Sequence, residues 1–298
     1  MTIPGPAPAE QRFAVIDELG LPGIADIHVH FMPPRVMTAV WKYFDSAGPL
    51  LGRDWPIRYK GTDQERVEFL RSHGVGLFAG LSYAHKPGMA QFLTDWSVEF
   101  AGQVPEAVAT GTFFPEPGVL EYVTQAIESG CQLFKIHLQV GDFDPREPVL
   151  ADVWGVLAAA GVPVVIHAGS GPMPGRFTGP AIFGELMSEH PELSAIVAHC
   201  GSPEERDFVE LALTYPNMGL DTTMVDTDFM SDIHRFDRSV LSQLRELGLS
   251  GRVYFGTDFP NIPYPYEHQL QVVADWELGD DWLRSVLWFN SARLLGAG

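Results

Sequence analysis

Short apolar runs recur along the chain, and each is bounded by Gly, Pro or polar residues. We predict eight strands from them, at 23–29, 75–81, 107–113, 131–138, 162–167, 193–199, 218–223 and 252–258. Most of these runs are apolar on both faces, which is typical of parallel strands covered on both sides.

Amphipathic stretches lie between the predicted strands. The segment TDQERVEFLRSHG (62–74) opens at Thr62 with an acidic first turn and closes at Gly74, which predicts a helix with both ends marked. In the segment 202–216 we predict Ser202 as the helix cap and Pro203 as the first helical residue. Helices are also predicted over 117–130 and 280–296.

Eight strands that alternate with helices predict an α/β fold of the (β/α)8 TIM-barrel type. The alternative, a doubly wound sheet, calls for a Gly-rich phosphate loop after an early strand, and no such motif follows any strand here. Since no linker or repeat is visible, we predict one domain over residues 1–298.

Two segments stand outside the alternation. Residues 1–20 form a predicted short, disordered N-terminal arm, which begins MTIPGPAPAEQRF and lacks the basic start and apolar centre of a signal peptide. Residues 31–61 form a long insertion after the first strand. In a barrel such an insertion covers the C-terminal mouth, where it acts as a lid or a substrate wall.

Composition and charge narrow the function. Hydrophobic residues make up 46% of the chain and charged residues 19%, as in a globular protein, and no apolar run reaches membrane-spanning length. The formal net charge of −19 opposes binding to nucleic acid or to anionic membranes. Cys131 and Cys200 are interpreted as buried, reduced thiols of a cytoplasmic protein.

Titratable side chains stand at the carboxyl ends of the predicted strands, where barrel enzymes carry their reacting groups. His28 and His30 share one face of the first strand, because side chains alternate along a strand. A single histidine in such a place is usually an ordinary hydrogen-bonded residue, but the coincidence of several favours a metal site with imidazole and carboxylate ligands. The residues concerned are His28, His30, Lys135, His137, His167, His199, Asp221 and Asp258.

Four motifs carry a family resemblance: DIHVH on the first strand, IHAGSG on the fifth, AHCG on the sixth and GTDFP on the eighth. Together they resemble the amidohydrolase superfamily, and within it the amidohydrolase-2 group, which includes aminocarboxymuconate-semialdehyde and resorcylate-type decarboxylases. The likeness runs from about residue 24 to the closing WFNSARLLG.

The resemblance implies one divalent metal ion, zinc or alternatively manganese, held by His28, His30, His167 and Asp258. It implies that His199 orients or deprotonates water or polarises the substrate, and that Asp258 also transfers a proton. Other branches use a carboxylated lysine to bridge two ions, so Lys135 is either such a bridge, a substrate contact with His137, or a buried ion-pair partner. The resemblance also suggests a homodimer.

Two reactions on a small-molecule substrate fit this set of residues. A metal ion lowers the pKa of water towards about 7, which suits hydrolysis of an amide, lactone or ester. Decarboxylation of an aromatic or muconate-like acid calls for a cation that binds the substrate, and Arg53, Arg58 and Arg176 are candidates. Aromatic residues of the insertion either indicate a flat, apolar or aromatic substrate or belong to the ordinary packing of a long loop. The third alternative is a metal-binding scaffold without catalysis.

Overall fold

Nine short parallel strands form the centre of the fold in the computed structural model, which describes residues 12–297. They are β1 (Ile24–Val29), β2 (Val75–Gly80), β3 (Ala107–Val108), β4 (Thr110–Thr112), β5 (Leu133–His137), β6 (Val164–His167), β7 (Ala195–Val197), β8 (Met218–Asp221) and β9 (Val253–Tyr254). Almost every strand residue is buried, as the apolar runs predict.

The strands pair in chain order, β1 to β3 in one sheet and β4 to β9 in the other. β3 and β4 are two halves of the predicted third strand, so the sheets meet there. On the opposite side Ile27 N donates to Phe255 O at 3.0 Å, and Asp258 N donates to His28 O at 2.8 Å. These bonds join β1 to the segment after β9 and complete a ring, which confirms the predicted TIM barrel.

Helices surround the strands. They are α1 (Ala14–Glu18), α2 (Pro34–Ser46), α3 (Gly48–Leu51), α4 (Asp63–Ser72), α5 (Ala90–Gln103), α6 (Val119–Glu128), α7 (Leu138–Gly141), α8 (Ala151–Ala160), α9 (Pro180–Glu189), α10 (Glu205–Thr214), α11 (Asp228–Ser231), α12 (Leu241–Leu249), α13 (Tyr266–Ala274), α14 (Asp280–Arg284) and α15 (Asn290–Leu294). A π-helical turn, Ser285–Phe289, joins α14 to α15. Within residues 12–297, no helix combines the length and apolar composition that spanning a membrane requires.

Two predicted helix starts have different outcomes. At α4, Thr62 Oγ1 accepts from Glu65 N while Glu65 accepts from Thr62 N, which is a complete capping box and confirms that start. At α10, Ser202 does not cap the helix, which begins at Glu205. The prediction is wrong because the chain leaves β7 through a left-handed turn at His199, Cys200 and Gly201, and helical backbone begins only at Glu205.

The predicted N-terminal arm contains an ordered helix. Residues 1–11 lie outside the described part of the chain, but α1 packs Ile16 and Leu19 into the core. Phe13 N donates to His73 O at 3.2 Å and ties this segment to the end of α4. The second half of the arm is therefore ordered, because its apolar side chains lie at helical spacing and pack against the core.

The insertion 31–61 contains α2 and α3, followed by a non-helical stretch. Two tryptophans fasten it to the loop after β9: Trp41 Nε1 donates to Asn261 Oδ1 at 3.2 Å, and Trp55 Nε1 donates to Asn261 O at 2.8 Å. The insertion is thus fastened over the carboxyl ends of the strands, and its action as a lid or substrate wall stays a prediction.

Candidate functional site

The carboxyl ends of the strands bring the predicted polar residues together. Donor atoms of His28, His199 and Asp258 all lie within 4.8 Å of one another. His30 joins this cluster, since its Nε2 lies 2.9 Å from Asp258 Oδ1. Residues more than 200 positions apart in the sequence therefore meet at one point.

Three imidazoles of the site are oriented by hydrogen bonds from Nδ1 to protein oxygens. Carboxylate and carbonyl oxygens only accept, so Nδ1 carries the hydrogen and Nε2 carries the lone pair. The pairs are His28 with Asp221 Oδ2 at 2.8 Å, His30 with Leu81 O at 3.0 Å and His199 with Thr223 O at 2.9 Å.

His30 Nε2 and Asp258 Oδ1 face each other at 2.9 Å, and this contact indicates what the site can bind. Both atoms are acceptors in the protonation states just described, and two acceptors at 2.9 Å require a shared proton or a cation beside them. Neutral imidazole nitrogen with carboxylate oxygen is the donor set that zinc and similar divalent ions prefer. The residues present therefore fit a divalent metal ion.

Electrostatics keep the ligands in their metal-binding protonation states. Burial, helped by nearby Lys135, lowers the pKa of His28 to about 3. Burial acts to raise the pKa of Asp258, but His30 and His28 hold that pKa below its usual range. At neutral pH the imidazole is therefore neutral and the carboxylate ionised, as a metal site needs.

His137 and His167 form a stacked pair on neighbouring strands. They are register partners on β5 and β6, and their rings lie 3.8 Å apart at 11°. His167 Nε2 donates to Gly171 O at 2.9 Å, so its lone pair is on Nδ1. His137 Nδ1 accepts from Val140 N at 3.3 Å, so Nε2 carries the hydrogen and is a donor.

Lys135 lies beside the candidate metal ligands. Its side chain is buried, and Nζ lies 3.2 Å from His28 Nε2. Burial lowers the pKa of Lys135 to about 8, against the opposing effect of Asp221 and Asp258. The side chain is therefore largely a cation beside His28 at neutral pH.

Two site residues occupy left-handed backbone, which is uncommon for side chains other than glycine. His199 has φ 57° and Asp258 has φ 71°. His199 N donates to Asp221 Oδ1 at 2.8 Å, which helps to hold the first turn. The predicted strands ran to 199 and 258, but β7 and β9 end earlier because these turns aim the side chains inwards.

A second buried aspartate supports the site from below. Asp26 Oδ2 accepts from Thr257 Oγ1 at 2.6 Å and from Tyr266 OH at 2.8 Å, while Oδ1 accepts from His28 N at 3.0 Å. This carboxylate links β1 to the residue before Asp258. Sequence reasoning missed Asp26, although an aspartate inside an apolar strand was a visible signal.

A cavity of about 580 Å³ opens above the cluster. Its walls are largely apolar and come from the insertion and from later loops. They include Met32, Val36, Val40, Tyr43, Phe44, Leu51, Trp55, Met173, Met224, Met230 and Phe236. Tyr83, which the sequence did not single out, also lines the cavity and packs against His30 and His137.

The three predicted arginines lie away from this cavity. Arg53 Nη1 donates to Phe229 O at 2.6 Å and pairs with Asp232 Oδ2 at 2.8 Å. Arg176 packs over the Phe177 ring at 4.9 Å, and Arg58 is exposed. Within residues 12–297, no arginine lines the cavity.

The fold and the site together define a TIM-barrel protein with a metal-type ligand cluster at the carboxyl ends of its strands. The family model described as amidohydrolase, of the amidohydrolase-2 group, matches residues 25–297. The chain belongs to this family, whose members are enzymes, and the resemblance in the sequence is confirmed.

Solved structures show the same fold at low sequence identity. The TIM-barrel protein Bb4693 from Bordetella bronchiseptica has a TM-score of 0.72 and 16% identity, over 92% of this chain and 99% of its own. A probable 2-pyrone-4,6-dicarboxylic acid hydrolase from Acinetobacter baumannii has a TM-score of 0.62 and 14% identity, over 92% and 99%. The 5-carboxyvanillate decarboxylase LigW from Sphingomonas paucimobilis has a TM-score of 0.61 and 13% identity, over 92% and 98%. No curated protein matched the chain in sequence.

Proposed function

We propose that the chain is a metal-dependent hydrolase that cleaves the amide, ester or lactone bond of a small, largely apolar molecule without a carboxylate. The observation that carries this proposal is the wall of the cavity. Within the described residues it is largely apolar and holds no guanidinium, although it lies directly above the ligand cluster. A substrate anion would have only the metal site and buried Lys135 to bind to.

The metal assignment rests on the donor set. We propose one divalent ion, zinc or alternatively manganese, held by His28, His30, His167 and Asp258. The lone pair of His167 on Nδ1 supports its inclusion, since Nε2 is engaged with Gly171 O. When bound, such an ion polarises a carbonyl group and lowers the pKa of water.

The remaining steps belong to side chains of this protein. Asp258 and His199 stand next to each other in the cluster, and each offers an acceptor for the proton that water loses. His137 Nε2 is a donor on the cavity wall, placed to bind the substrate's carbonyl oxygen. The apolar walls orient the rest of the molecule and exclude water.

Decarboxylation is the second candidate, and Lys135 favours it. Within residues 12–297, Lys135 is the one lysine or arginine that lines the cavity, and its ammonium group could bind one carboxylate. The aromatic residues Tyr43, Phe44 and Trp55 on the wall suit an aromatic acid equally well. A protein that binds metal without catalysis is the third candidate.

One assay separates the three candidates. The protein is loaded with zinc or with manganese and incubated with neutral lactones, esters and amides, and separately with aromatic and muconate-like acids. We expect acid release from the neutral panel and no CO2 from the acids. CO2 release would establish the lyase instead, and inactivity on both panels would favour the scaffold.

The ligand assignment has its own test. His167→Ala should lose metal and activity together, whereas His199→Ala should keep stoichiometric metal and lose turnover. Metal content is measured by atomic emission on both purified variants. Because His199 lies within the 4.8 Å cluster, a metal-free His199→Ala would place His199 among the ligands and refute our assignment.

A further inference from the structure

A buried carboxylate lines the cavity without belonging to the metal cluster. Glu205, the first residue of α10, is 2% exposed. His234 Nε2 donates to Glu205 Oε2 at 3.2 Å. The same nitrogen lies 3.0 Å from Oε1, but its N–H does not point there, and Oε1 has no hydrogen-bond donor among residues 12–297.

Asp226 provides the contrast. It also lines the cavity, but Trp276 Nε1 and Arg238 Nε both donate to its Oδ2 at 2.8 Å. Its charge is therefore compensated within the protein. Glu205 is different, because a buried acceptor without a donor costs free energy unless a ligand or water supplies one.

The surroundings of Glu205 limit what that donor can be. The neighbouring wall carries apolar side chains such as Met230 and Phe236, and no arginine of residues 12–297 lines the cavity. Glu205 lines the same cavity as His28, His199 and Asp258, so the carboxylate and the metal cluster face one space. A molecule bound at the cluster can thus present a second group to Glu205.

We infer that Glu205 Oε1 is a specificity determinant that binds a hydroxyl or amine donor on the apolar body of the substrate. His234 holds the carboxylate by its Oε2 and is a positioning residue. The inference rests on the proposed function for the same cavity and narrows its substrate class. The preferred substrate bears one donor group in addition to the bond that is cleaved, and a substrate with a carboxylate at this position is repelled.

Binding of three benzyl probes to the metal-loaded protein tests the inference without any turnover. The probes are benzylamine, benzyl alcohol and benzyl methyl ether, which share the ring and differ in the donor. By titration calorimetry we expect the amine and the alcohol to bind at least about tenfold more tightly than the ether, because each can donate a hydrogen bond to the carboxylate and the ether cannot. Glu205→Gln should reduce benzylamine affinity by about tenfold.

Glu210→Gln is the matched control, because Glu210 is exposed on the same helix and should leave all three affinities unchanged. If Glu205→Gln does not fold, as judged by circular dichroism, Glu205→Asp serves instead, since it keeps the charge but withdraws the oxygen and should lower benzylamine affinity. Equal binding of the alcohol and the ether, no binding of any probe, or an unchanged amine affinity in Glu205→Gln would overturn the inference. A lyase reaction with the probe preference intact would refute only the proposed function.

Discussion

His28 Nδ1 and Asp221 Oδ2 lie 2.8 Å apart inside the barrel, although 193 positions separate the two residues in the chain. The other oxygen of the same carboxylate, Oδ1, accepts from the backbone N–H groups of His199 and Thr223. One buried aspartate therefore orients His28, a proposed metal ligand, and also holds the turn that carries His199, the proposed catalytic histidine.

Replacing Asp221 with Asn should weaken metal binding more than it weakens the fold. The amide keeps the shape, but it removes the charge that orients His28 and supports its Nδ1 hydrogen. Loss of such an outer partner typically reduces metal affinity by about 10- to 100-fold. Competition with a chromogenic chelator measures the affinity, and Asp207→Asn, an exposed site on α10, is the control. Wild-type affinity in Asp221→Asn would show that the carboxylate does not orient His28.

Gly256 should tolerate no side chain. A Cβ built there would lie 2.1 Å from Thr223 Oγ1 and 2.8 Å from His28 Cβ, so His28 must shift. We expect Gly256→Ala to lower both metal affinity and thermal stability. Gly155→Ala is the matched control, because its Cβ meets nothing within 4 Å and alanine in a helix is favoured by about 0.5–1 kcal/mol. Unchanged metal affinity in Gly256→Ala would contradict the packing described here.

Stability of the metal-free protein should decrease as the pH falls below about 6.5. Burial lowers the pKa of four histidines of the candidate site, that of His28 to about 3, so the unfolded chain takes up protons there that the folded one does not. Each contributes stability above the unfolded pKa and loses about 1.4 kcal/mol per pH unit below it. The four are His28, His137, His167 and His199.

Asp26 acts in the opposite direction, because burial raises its pKa to about 6 and protonation below that pH relieves the cost of a buried charge. Protonation of Asp26 offsets the effect of one histidine only, so the free energy of unfolding still decreases as the pH falls. Urea unfolding between pH 7.5 and 5.5 measures how the free energy of unfolding depends on pH. His137→Gln should reduce the slope of this dependence by the equivalent of about one proton. A pH-independent free energy of unfolding would refute the predicted charge states.

Arg53 should restrain the insertion 31–61, which we predict to act as a lid. Its guanidinium lies 3.8 Å from the centre of the Phe229 ring and pairs with Asp232, which joins the insertion to the loop around α11. We expect Arg53→Ala to increase amide hydrogen exchange over 227–233 and to raise KM while leaving metal content unchanged. Arg58→Ala, at an exposed neighbour, should change neither. Metal loss in Arg53→Ala would indicate a role other than closure.

Strand and helix identities were readable in the sequence because each barrel strand is covered on both sides and therefore apolar along its length. For the same reason the polar residues at strand ends stood out. His28, His30, His199 and Asp258 lie around one point, and the His167 ring lies 4.8 Å from that of His199. The boundaries near 199 and 258 were misjudged, since left-handed backbone on non-glycine residues depends on contacts made by distant segments.

By itself, therefore, the sequence determined the barrel, its family and the place of the candidate metal site, since these depend on local pattern and on motifs. Only the tertiary structure decided which nitrogen of each imidazole faces the site, that Asp221 and Asp26 support it, and that Arg53 pairs with Asp232 and does not line the cavity. Those features depend on pairs of atoms brought together by the fold from far apart in the chain, and no local pattern encodes such distances.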